Sequence, residues 1–588
     1  MRASIVGTAV IISLVAMCNA AAQAPAPEPA PGRDTLAAAR AGVADTSPFR
    51  ILDLSTPNAY RSASGMPGPS YWQQRADYTI KASLDTASQT IEGSETIRYT
   101  NNSPDTLRFL WLQLDMNAGS KQSRFTVLDS LFVREAPGIV LGATIEHVAA
   151  LRTGPGGKAL STPLSWWVNS TMMRVDLDRP LPPKTALSLF IGWHHQEPTQ
   201  GGRTGRQQYP EGWLYQIAQW YPRLAVYDDV RGWNTDQYRG PSEFYLEYGN
   251  FDVTLSVPAG YTVAATGTLQ NAAQVYPELI RQRLRAAAHA DTIVHIISAA
   301  ELGMPALLPR RTGPTRTWHY TATNVRDFAW AAAPNFIWDA TSWDGILMQA
   351  LYPPDRADVW KTAADMNRHA IMVHSRWLHY PWPTAISVAG PVGGMEYPMI
   401  TFDDAENEKE LYYTLAHELG HQWFPMTVGS DERLYPWMDE GFNTFIDWYT
   451  FRSRYPTDTV RIQSLEFGSM RAYQGFLSGY IGQETPIMET QDRSPNGLMS
   501  GWNAYGKPAV ALHFLREEVV DSNAFDAAFR EYVRRWAFKH PQPADFFRTM
   551  NNALGEDLSW FWRAWFIEDD HLDQAVDSVV QRDSAGLA

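Results

Sequence analysis

The sequence has almost no cysteine and fewer basic than acidic residues. Cys18 is the only cysteine among 588 residues, so no disulfide bond can form within the chain and packing must hold the fold together. Lysine and arginine number 49 against 63 for aspartate and glutamate, which gives a net charge of −14. This negative balance argues against binding to a phosphate backbone, and we expect no nucleic-acid partner.

The apolar run at the N-terminus, residues 5–17, is too short to span a bilayer, which needs about 20 residues. A basic start before the run and small residues after it are typical of a signal peptide, which we predict over residues 1–22. We therefore expect an exported protein, periplasmic or secreted, with no membrane span. Cys18 resembles a lipoprotein acylation site, but the bulky Met17 before it argues against this alternative of a lipid anchor.

Composition and periodicity divide the remaining chain. Residues 23–48 are rich in alanine and proline, which is typical of a linker. Residues 49–268 contain short runs with a period of two between turn signals, and they predict a β domain. Helical periodicity then increases, and we predict a mixed domain over 269–508 and packed helices over 509–588.

The stretch LAHELGHQWFP at residues 415–425 contains the pattern HExxH. Residues four apart on a helix face the same side, so His417 and His421 can bind one ion. Imidazole nitrogens suit tetrahedral zinc, and Glu418 is placed to act as a base on water at the metal. The alternative is a chance motif in an amphipathic helix whose histidines bond to backbone carbonyls.

A catalytic zinc usually takes a third protein ligand. Glu440 follows His421 after 18 intervening residues, and a turn rich in proline and glycine lets the chain reverse between them. Asp439 is the alternative ligand. We prefer Glu440, which lies one helical turn before Thr444 and Phe445 on the face that the apolar pattern buries.

Two glycine-rich stretches, GPGGKA at 154–159 and GGRTGR at 201–206, do not complete a nucleotide-binding motif. We expect both to be surface loops.

The order of motifs resembles the M1 family of zinc metallopeptidases, which includes aminopeptidase N and the leukotriene hydrolases. HExxH is followed after 18 residues by glutamate, and GGMEYP at 393–398 resembles the family's exopeptidase signature. NAYGKPAVALHFL at 503–515 resembles the segment with the family's catalytic tyrosine, and residues 250–269 resemble the end of its β domain.

This resemblance implies a multidomain α+β fold with an N-terminal antiparallel β domain, a thermolysin-like α/β catalytic domain and C-terminal helices. It implies a zinc-dependent aminopeptidase with one Zn²⁺ per chain that acts on oligopeptides with a free N-terminus. Glu418 would be the general base, and Tyr505 would stabilise the oxyanion. The alternatives are a thermolysin-like endopeptidase and a catalytically silent peptide-binding scaffold.

The resemblance also implies a substrate site. Glu396 would pair with the α-ammonium group of the substrate, and Gln219 would line the amine site from the β domain. The remaining substrate-binding candidates are the residues before Glu396 in the signature, namely Gly393, Gly394 and Met395. Tyr397 departs from the family pattern, in which asparagine is usual at this position.

Overall fold

The computed structural model describes residues 54–120, 141–199, 202–240, 242–304, 314–459, 483–490 and 497–569, together with residues 52, 123, 307, 473, 475, 476 and 479. The predicted signal peptide, the linker and Cys18 lie outside the described residues.

An eight-stranded sheet forms the largest part of the N-terminal region. Side chains along Arg75–Asp85 alternate between buried and exposed, as a period-two sequence requires. All neighbouring strands are antiparallel except Arg75–Asp85 and Gly249–Pro258, which are parallel, so the sheet is not purely antiparallel. In spatial order the strands are Thr268–Leu269, Thr315–Val325, Gly249–Pro258, Arg75–Asp85, Thr90–Asn101, Thr185–Gln196, Thr144–Thr153 and Ala159–Pro163.

Three smaller sheets pack in the same region. The first has the order Thr262–Ala265, Trp330–Ala333, Gly212–Ile217 and Gly205–Tyr209. The second has the order Arg223–Leu224, Leu107–Gln113, Met172–Leu181 and Ser165–Asn169, and the third pairs Tyr227–Asp228 with Gly232–Trp233.

The eight-stranded sheet and the first of the smaller sheets both contain strands beyond residue 268, where the sequence predicts the end of the β domain. Thr315–Val325 pairs with Gly249–Pro258, and Trp330–Ala333 pairs with Thr262–Ala265. Backbone groups in a strand need partners, and these strands find them in the earlier sheets. The division into domains itself stays a prediction.

A mixed six-stranded sheet follows. Its strands are, in spatial order, Val294–Ile297, Ile337–Trp343, Ile346–Tyr352, Thr384–Ala389, Ile400–Asp403 and Gly394–Tyr397. The edge strand Gly394–Tyr397 runs antiparallel to Ile400–Asp403 and carries the GGMEYP signature. The signature therefore lies at the border of this sheet, next to the helices.

Helices dominate the described residues after position 403. Over all described residues, the α-helices are, in chain order, Ala272–Val275, Glu278–Ala287, Ala357–Trp360, Ala363–His374, Glu408–Gly420, Glu440–Arg454, Gly497–Gly501, Lys507–Phe514, Ser522–Trp536, Pro543–Leu554 and Ser559–Trp562. Trp502–Gly506, Leu515–Val519 and Arg563–Ile567 are π-helical. The 3₁₀ turns are Asp115–Gly119, Pro155–Gly157, Ala299–Glu301, Pro354–Arg356 and Pro436–Met438.

The predicted α+β architecture, with β sheets first and helices last, is confirmed. One continuous apolar core runs from the first sheet to the last helices, and aromatic rings such as Trp437, Phe442 and Phe546 fill its C-terminal part. Within the described ranges, no helix is both long enough and apolar enough to cross a bilayer.

Candidate active site

The helix Glu408–Gly420 carries the HExxH motif. Asn407 caps it, because its side-chain oxygen accepts a hydrogen bond from a backbone N–H of the first turn at 3.1 Å. Leucines recur every four residues and are buried, so one face of the helix is anchored in the core. These leucines are Leu411, Leu415 and Leu419.

The helix Glu440–Arg454 packs against this helix and begins with the third candidate ligand. Oε2 of Glu440 lies 3.3 Å from Nε2 of His417 and 3.3 Å from Nε2 of His421. The two imidazole nitrogens are 3.2 Å apart. Three donor atoms from two helices thus form a nearly equilateral triangle in the protein interior.

The triangle fits a zinc ion. Ligand atoms that bind zinc tetrahedrally at about 2.0–2.1 Å lie about 3.3–3.4 Å from one another. Oε2 of Glu440 is buried and accepts no hydrogen bond from a described residue, as expected for an oxygen that binds a metal ion. Two imidazoles and one carboxylate are also a donor set of catalytic zinc sites, which keep a fourth position open.

Each histidine is oriented by a carboxylate on its other ring nitrogen. Nδ1 of His417 lies 2.7 Å from Oδ2 of Asp447, and Nδ1 of His421 lies 2.7 Å from Oδ1 of Asp439. A carboxylate accepts here, so both Nδ1 atoms carry the proton and both Nε2 atoms face Glu440. Asp439, the alternative third ligand in the sequence, therefore supports His421.

Tyr505 lies in the π-helical turn Trp502–Gly506 at the edge of the triangle. Its hydroxyl donates a hydrogen bond to Oε1 of Glu440 at 2.6 Å, and its ring stacks on His417 at 6.0 Å between centroids. Burial, and then the charge of Glu440, raise the pKa of Tyr505 well above its ordinary value. The phenol therefore keeps its proton at neutral pH and can donate it in a hydrogen bond.

Glu418 faces the edge strand Gly394–Tyr397. A Cβ atom on Gly394 would come within 2.8 Å of Oε1 of Glu418, so glycine leaves the room that this carboxylate occupies. Burial raises the pKa of Glu418 well above its ordinary value; the two histidines oppose the shift, and Glu396 and Asp403 reinforce it. The carboxyl group with the raised pKa thus lies next to the signature strand.

The edge strand brings Glu396 into the same interior space. A Glu396 oxygen lies within 4.8 Å of donor atoms of His421 and Asp439. The side chain is buried, yet its carboxylate accepts no hydrogen bond from any residue in the described ranges. Met395 in the same strand is buried with Sδ 2.7 Å from Nη1 of Arg203, and Gly393 immediately precedes the strand.

Gln219 is the substrate-binding candidate that the sequence places in the β domain. It is buried, its backbone has a positive φ of 54°, and its Nε2 donates to no described residue. Among the described residues, no hydrogen bond or ion pair joins it to Glu396 or Glu418. Its assignment to the amine site stays a prediction.

Several residues around the site are not predicted from the sequence. Asp447 follows Glu440 by seven residues, two turns along one helix face, and this spacing was a usable signal. Asn443 donates to the carbonyl oxygen of His417 at 2.7 Å from the same helix. The expectation of a surface loop at GGRTGR is wrong, because Arg203 and Arg206 are inward-facing and largely buried.

Comparison with known proteins places this site in a family. Residues 378–565, which include the triangle, Glu418 and Tyr505, match the model of the Peptidase family M1 domain. The chain is 22% identical to Aminopeptidase M1 of Arabidopsis thaliana over 249 residues, 39% of this chain and 28% of that protein. It is 23% identical to Leucyl aminopeptidase of Saccharolobus solfataricus over 230 residues, 36% and 29% of the two chains. The matches thus span less than a third of these relatives.

The fold matches over a greater length. The crystal structure of an M1 zinc metallopeptidase from Deinococcus radiodurans aligns with a TM-score of 0.55 at 17% identity, over 88% of this chain and 100% of that chain. A mutant of that metallopeptidase bound to a Tyr-Ser-Ala substrate aligns with a TM-score of 0.55 at 17% identity, over 85% and 96% of the two chains. At this identity the likeness shows the shared fold. Residues 378–565, which carry the HExxH site, thus match peptidase family M1, and the chain shares the fold of the M1 zinc metallopeptidase.

Proposed function

We propose that this protein is a zinc-dependent aminopeptidase that removes the N-terminal residue of oligopeptides. The observation that carries the proposal is the buried carboxylate of Glu396, which has no described hydrogen-bond donor and lies beside the ligand triangle. A buried carboxylate favours a charged ammonium group over an internal amide, because leaving the charge unpaired is costly. The site is therefore suited to peptides with a free N-terminus.

His417, His421 and Glu440 would hold one zinc ion, oriented by Asp447 and Asp439. When bound, zinc supplies Lewis-acid chemistry, which polarises a carbonyl group and acidifies water.

The chain's own residues would manage the protons. Glu418 would accept a proton from the attacking water and return it to the leaving nitrogen. The hydroxyl of Tyr505 would donate a hydrogen bond to the oxyanion that develops on the attacked carbonyl. Gly394 would let the substrate backbone approach closely, since no side chain intervenes.

We also propose that the protein acts outside the cytoplasm, as a periplasmic or secreted enzyme. The support for this proposal is the sequence pattern of residues 1–22, which is typical of an export signal. Detection of mature protein starting near residue 23 in a periplasmic or culture fraction would test it, and retention of the intact N-terminus in the cytoplasm would contradict it.

A pair of matched tripeptides tests the proposed activity. The zinc-loaded protein should cleave the first bond of a free tripeptide and leave the N-acetylated form intact, and a chelator should abolish cleavage. Glu396→Ala should reduce the preference for the free form, whereas Glu92→Ala, an exposed position on the eight-stranded sheet, should leave it unchanged. Equal cleavage of both peptides by the unaltered protein would indicate an endopeptidase instead.

A further inference from the structure

Three buried carboxylates share the space around Glu396. Glu243, Glu396 and Glu432 each offer an oxygen within 4.8 Å of those of the other two. Arg203 binds Glu243 through both terminal nitrogens, at 2.5 Å to each carboxylate oxygen. Arg326 forms an ion pair with Glu432 at 2.6 Å.

When all are ionised, the three glutamates and two arginines of this cluster carry one more negative than positive charge. Three carboxylates face two guanidinium groups, and both guanidinium groups are engaged by Glu243 and Glu432. Glu396 is the carboxylate without a described partner. Buried charges in proteins are normally paired, so the Glu396 carboxylate is suited to bind a cation such as an ammonium group.

Arg203 reaches this cluster from the loop that precedes the strand Gly205–Tyr209. The hydroxyl of Tyr397 donates a hydrogen bond to the carbonyl oxygen of Arg203 at 3.1 Å. Tyr397 follows Glu396 directly in the edge strand, and its ring is buried. The guanidinium group of Arg203 also lies over the ring of Phe244 at 5.3 Å, which supports its orientation.

We propose that Tyr397 and Arg203 are positioning residues for amine recognition: Tyr397 holds the Arg203 main chain, and Arg203 holds the Glu243 carboxylate beside Glu396, so that both carboxylates bind the substrate ammonium. This inference rests on the proposed function and adds Arg203, Glu243 and Tyr397 to the residues that would recognise the substrate amine. It also gives a role to tyrosine at a position where the family usually has asparagine.

The chemistry of Glu243 allows this double use. An ionised carboxylate has about four acceptor positions, and the two hydrogen bonds from Arg203 leave others for a second donor. Without Arg203, two close carboxylates would favour protonation of one of them, which would weaken binding of a cation. Burial raises the pKa of Glu243 to about 7 and Arg203 opposes this shift, so Arg203 both orients the Glu243 carboxylate and favours its ionised form.

The decisive test removes the ion pair as a unit. Arg203→Met with Glu243→Met replaces both charges by apolar side chains, because either change alone would leave a buried charge unpaired. Binding of trialanine and of N-acetyl-trialanine is measured by calorimetry in the zinc-loaded Glu418→Gln background, where turnover does not interfere. The matched control is Arg283→Met with Glu301→Met, another bidentate pair, at 2.7 and 2.9 Å.

We expect the preference for the free peptide to fall about ten- to a hundredfold in the Arg203/Glu243 double variant, the size of a lost hydrogen bond to a charged group. The control pair should leave it within twofold. An unchanged preference in a folded, zinc-loaded double variant would overturn the proposal.

A milder variant keeps every charge. Tyr397→Phe should raise KM for a free tripeptide about three- to tenfold with kcat within twofold, because one neutral hydrogen bond is lost. Tyr320→Phe, which loses a buried hydrogen bond to the Val263 carbonyl oxygen, should change neither constant. A fall in kcat with unchanged KM, or no change at all, would count against Tyr397 as a positioning residue.

Failure of this proposal can be told apart from failure of the proposed function. If Glu396→Ala abolishes the preference for free peptides while the Arg203/Glu243 double variant retains it, amine recognition stands and the double carboxylate is wrong. If Glu396→Ala retains the preference as well, the proposed exopeptidase function is wrong.

Discussion

The ligand triangle and the carboxylate cluster around Glu396 are both buried and charged, but the chain builds them in different ways. The triangle and its supporting carboxylates come from two helices within residues 408–454 and from the residues that cap them, His421 and Asp439. The cluster collects residues from five separate positions, namely Arg203, Glu243, Arg326, Glu396 and Glu432. The triangle is suited to binding a dication and the cluster to binding a monocation. Under the proposed function, turnover and recognition of the peptide end would therefore depend on different sets of residues.

The largest expected effect is on turnover in a Glu418 variant that leaves recognition of the peptide end unchanged. Glu418→Gln should lower kcat about 10²–10⁴-fold, because the proton acceptor is lost, while the preference for binding free over acetylated peptides is kept. Steady-state kinetics, metal analysis and peptide calorimetry together measure this. Glu410→Gln, two turns earlier on the same helix, serves as the control. More than half of the original kcat in the Gln variant would rule out Glu418 as the base.

Tyr505→Phe should affect turnover next most strongly. The variant loses a hydrogen-bond donor to the oxyanion, which is worth about 10²–10³ in kcat, and KM should change little. The phenol also donates to Glu440 at 2.6 Å, so zinc content must be measured alongside the kinetics. If KM rises while kcat holds, Tyr505 belongs with peptide recognition and the comparison fails at this residue.

Asp447→Asn should act on the metal. The asparagine amide oxygen would accept a weaker hydrogen bond from Nδ1–H of His417 than the Asp447 carboxylate does at 2.7 Å. Loss of such a hydrogen bond to a metal-binding histidine typically lowers metal affinity 10–100-fold. Competition with a zinc chelator measures the change. Asp365→Asn, a surface position paired with Arg454, provides the control. An unaltered zinc affinity would show that the triangle does not depend on its outer carboxylates.

Lys507 offers a third buried charge outside both groups. Its ammonium donates no hydrogen bond to a described residue, and burial lowers its pKa from 10.5 to about 8, against the opposing charges of Asp569 and Glu484. Between pH 8 and 10.5 the unfolded chain holds a proton at Lys507 that the folded protein lacks. Lys507 therefore lowers stability fully below pH 8, and the free energy of unfolding recovers as pH rises through this window.

Lys507→Met should raise the free energy of unfolding at pH 7 by about 2–3 kcal/mol, and the gain should shrink toward pH 10. Denaturant unfolding at several pH values measures the difference from the parent protein. Lys81→Met, at an exposed position, should show no such trend. A gain that is constant with pH would mean that packing, and not the buried charge, is responsible.

The difference between the two charged groups also explains what the sequence could predict. Helical spacing places His417 and His421 on one face, and the turn rich in proline and glycine before Glu440 lets the second helix return to them. The alternation along Arg75–Asp85 predicted its strand in the same way. Both depend on local geometry that the order of residues already contains.

Arg203 and Glu243 could not be found by such reasoning. Arg203 lies in a glycine-containing stretch that predicted a surface loop, and its burial depends on where the edge strand and Tyr397 dock against the β sheets. Likewise, the pairing of Thr315–Val325 with Gly249–Pro258 joins segments about 60 residues apart, so it depends on tertiary packing. Contacts between distant segments leave no periodic signal in the sequence.

The most direct test of the whole account is a crystal structure of the zinc-loaded Glu418→Gln protein with a bound tripeptide. We predict one zinc ion bound by His417, His421 and Glu440, with the peptide's terminal nitrogen hydrogen-bonded to Glu396. A peptide whose internal amide lies at Glu396, or a zinc ion held by other residues, would contradict it.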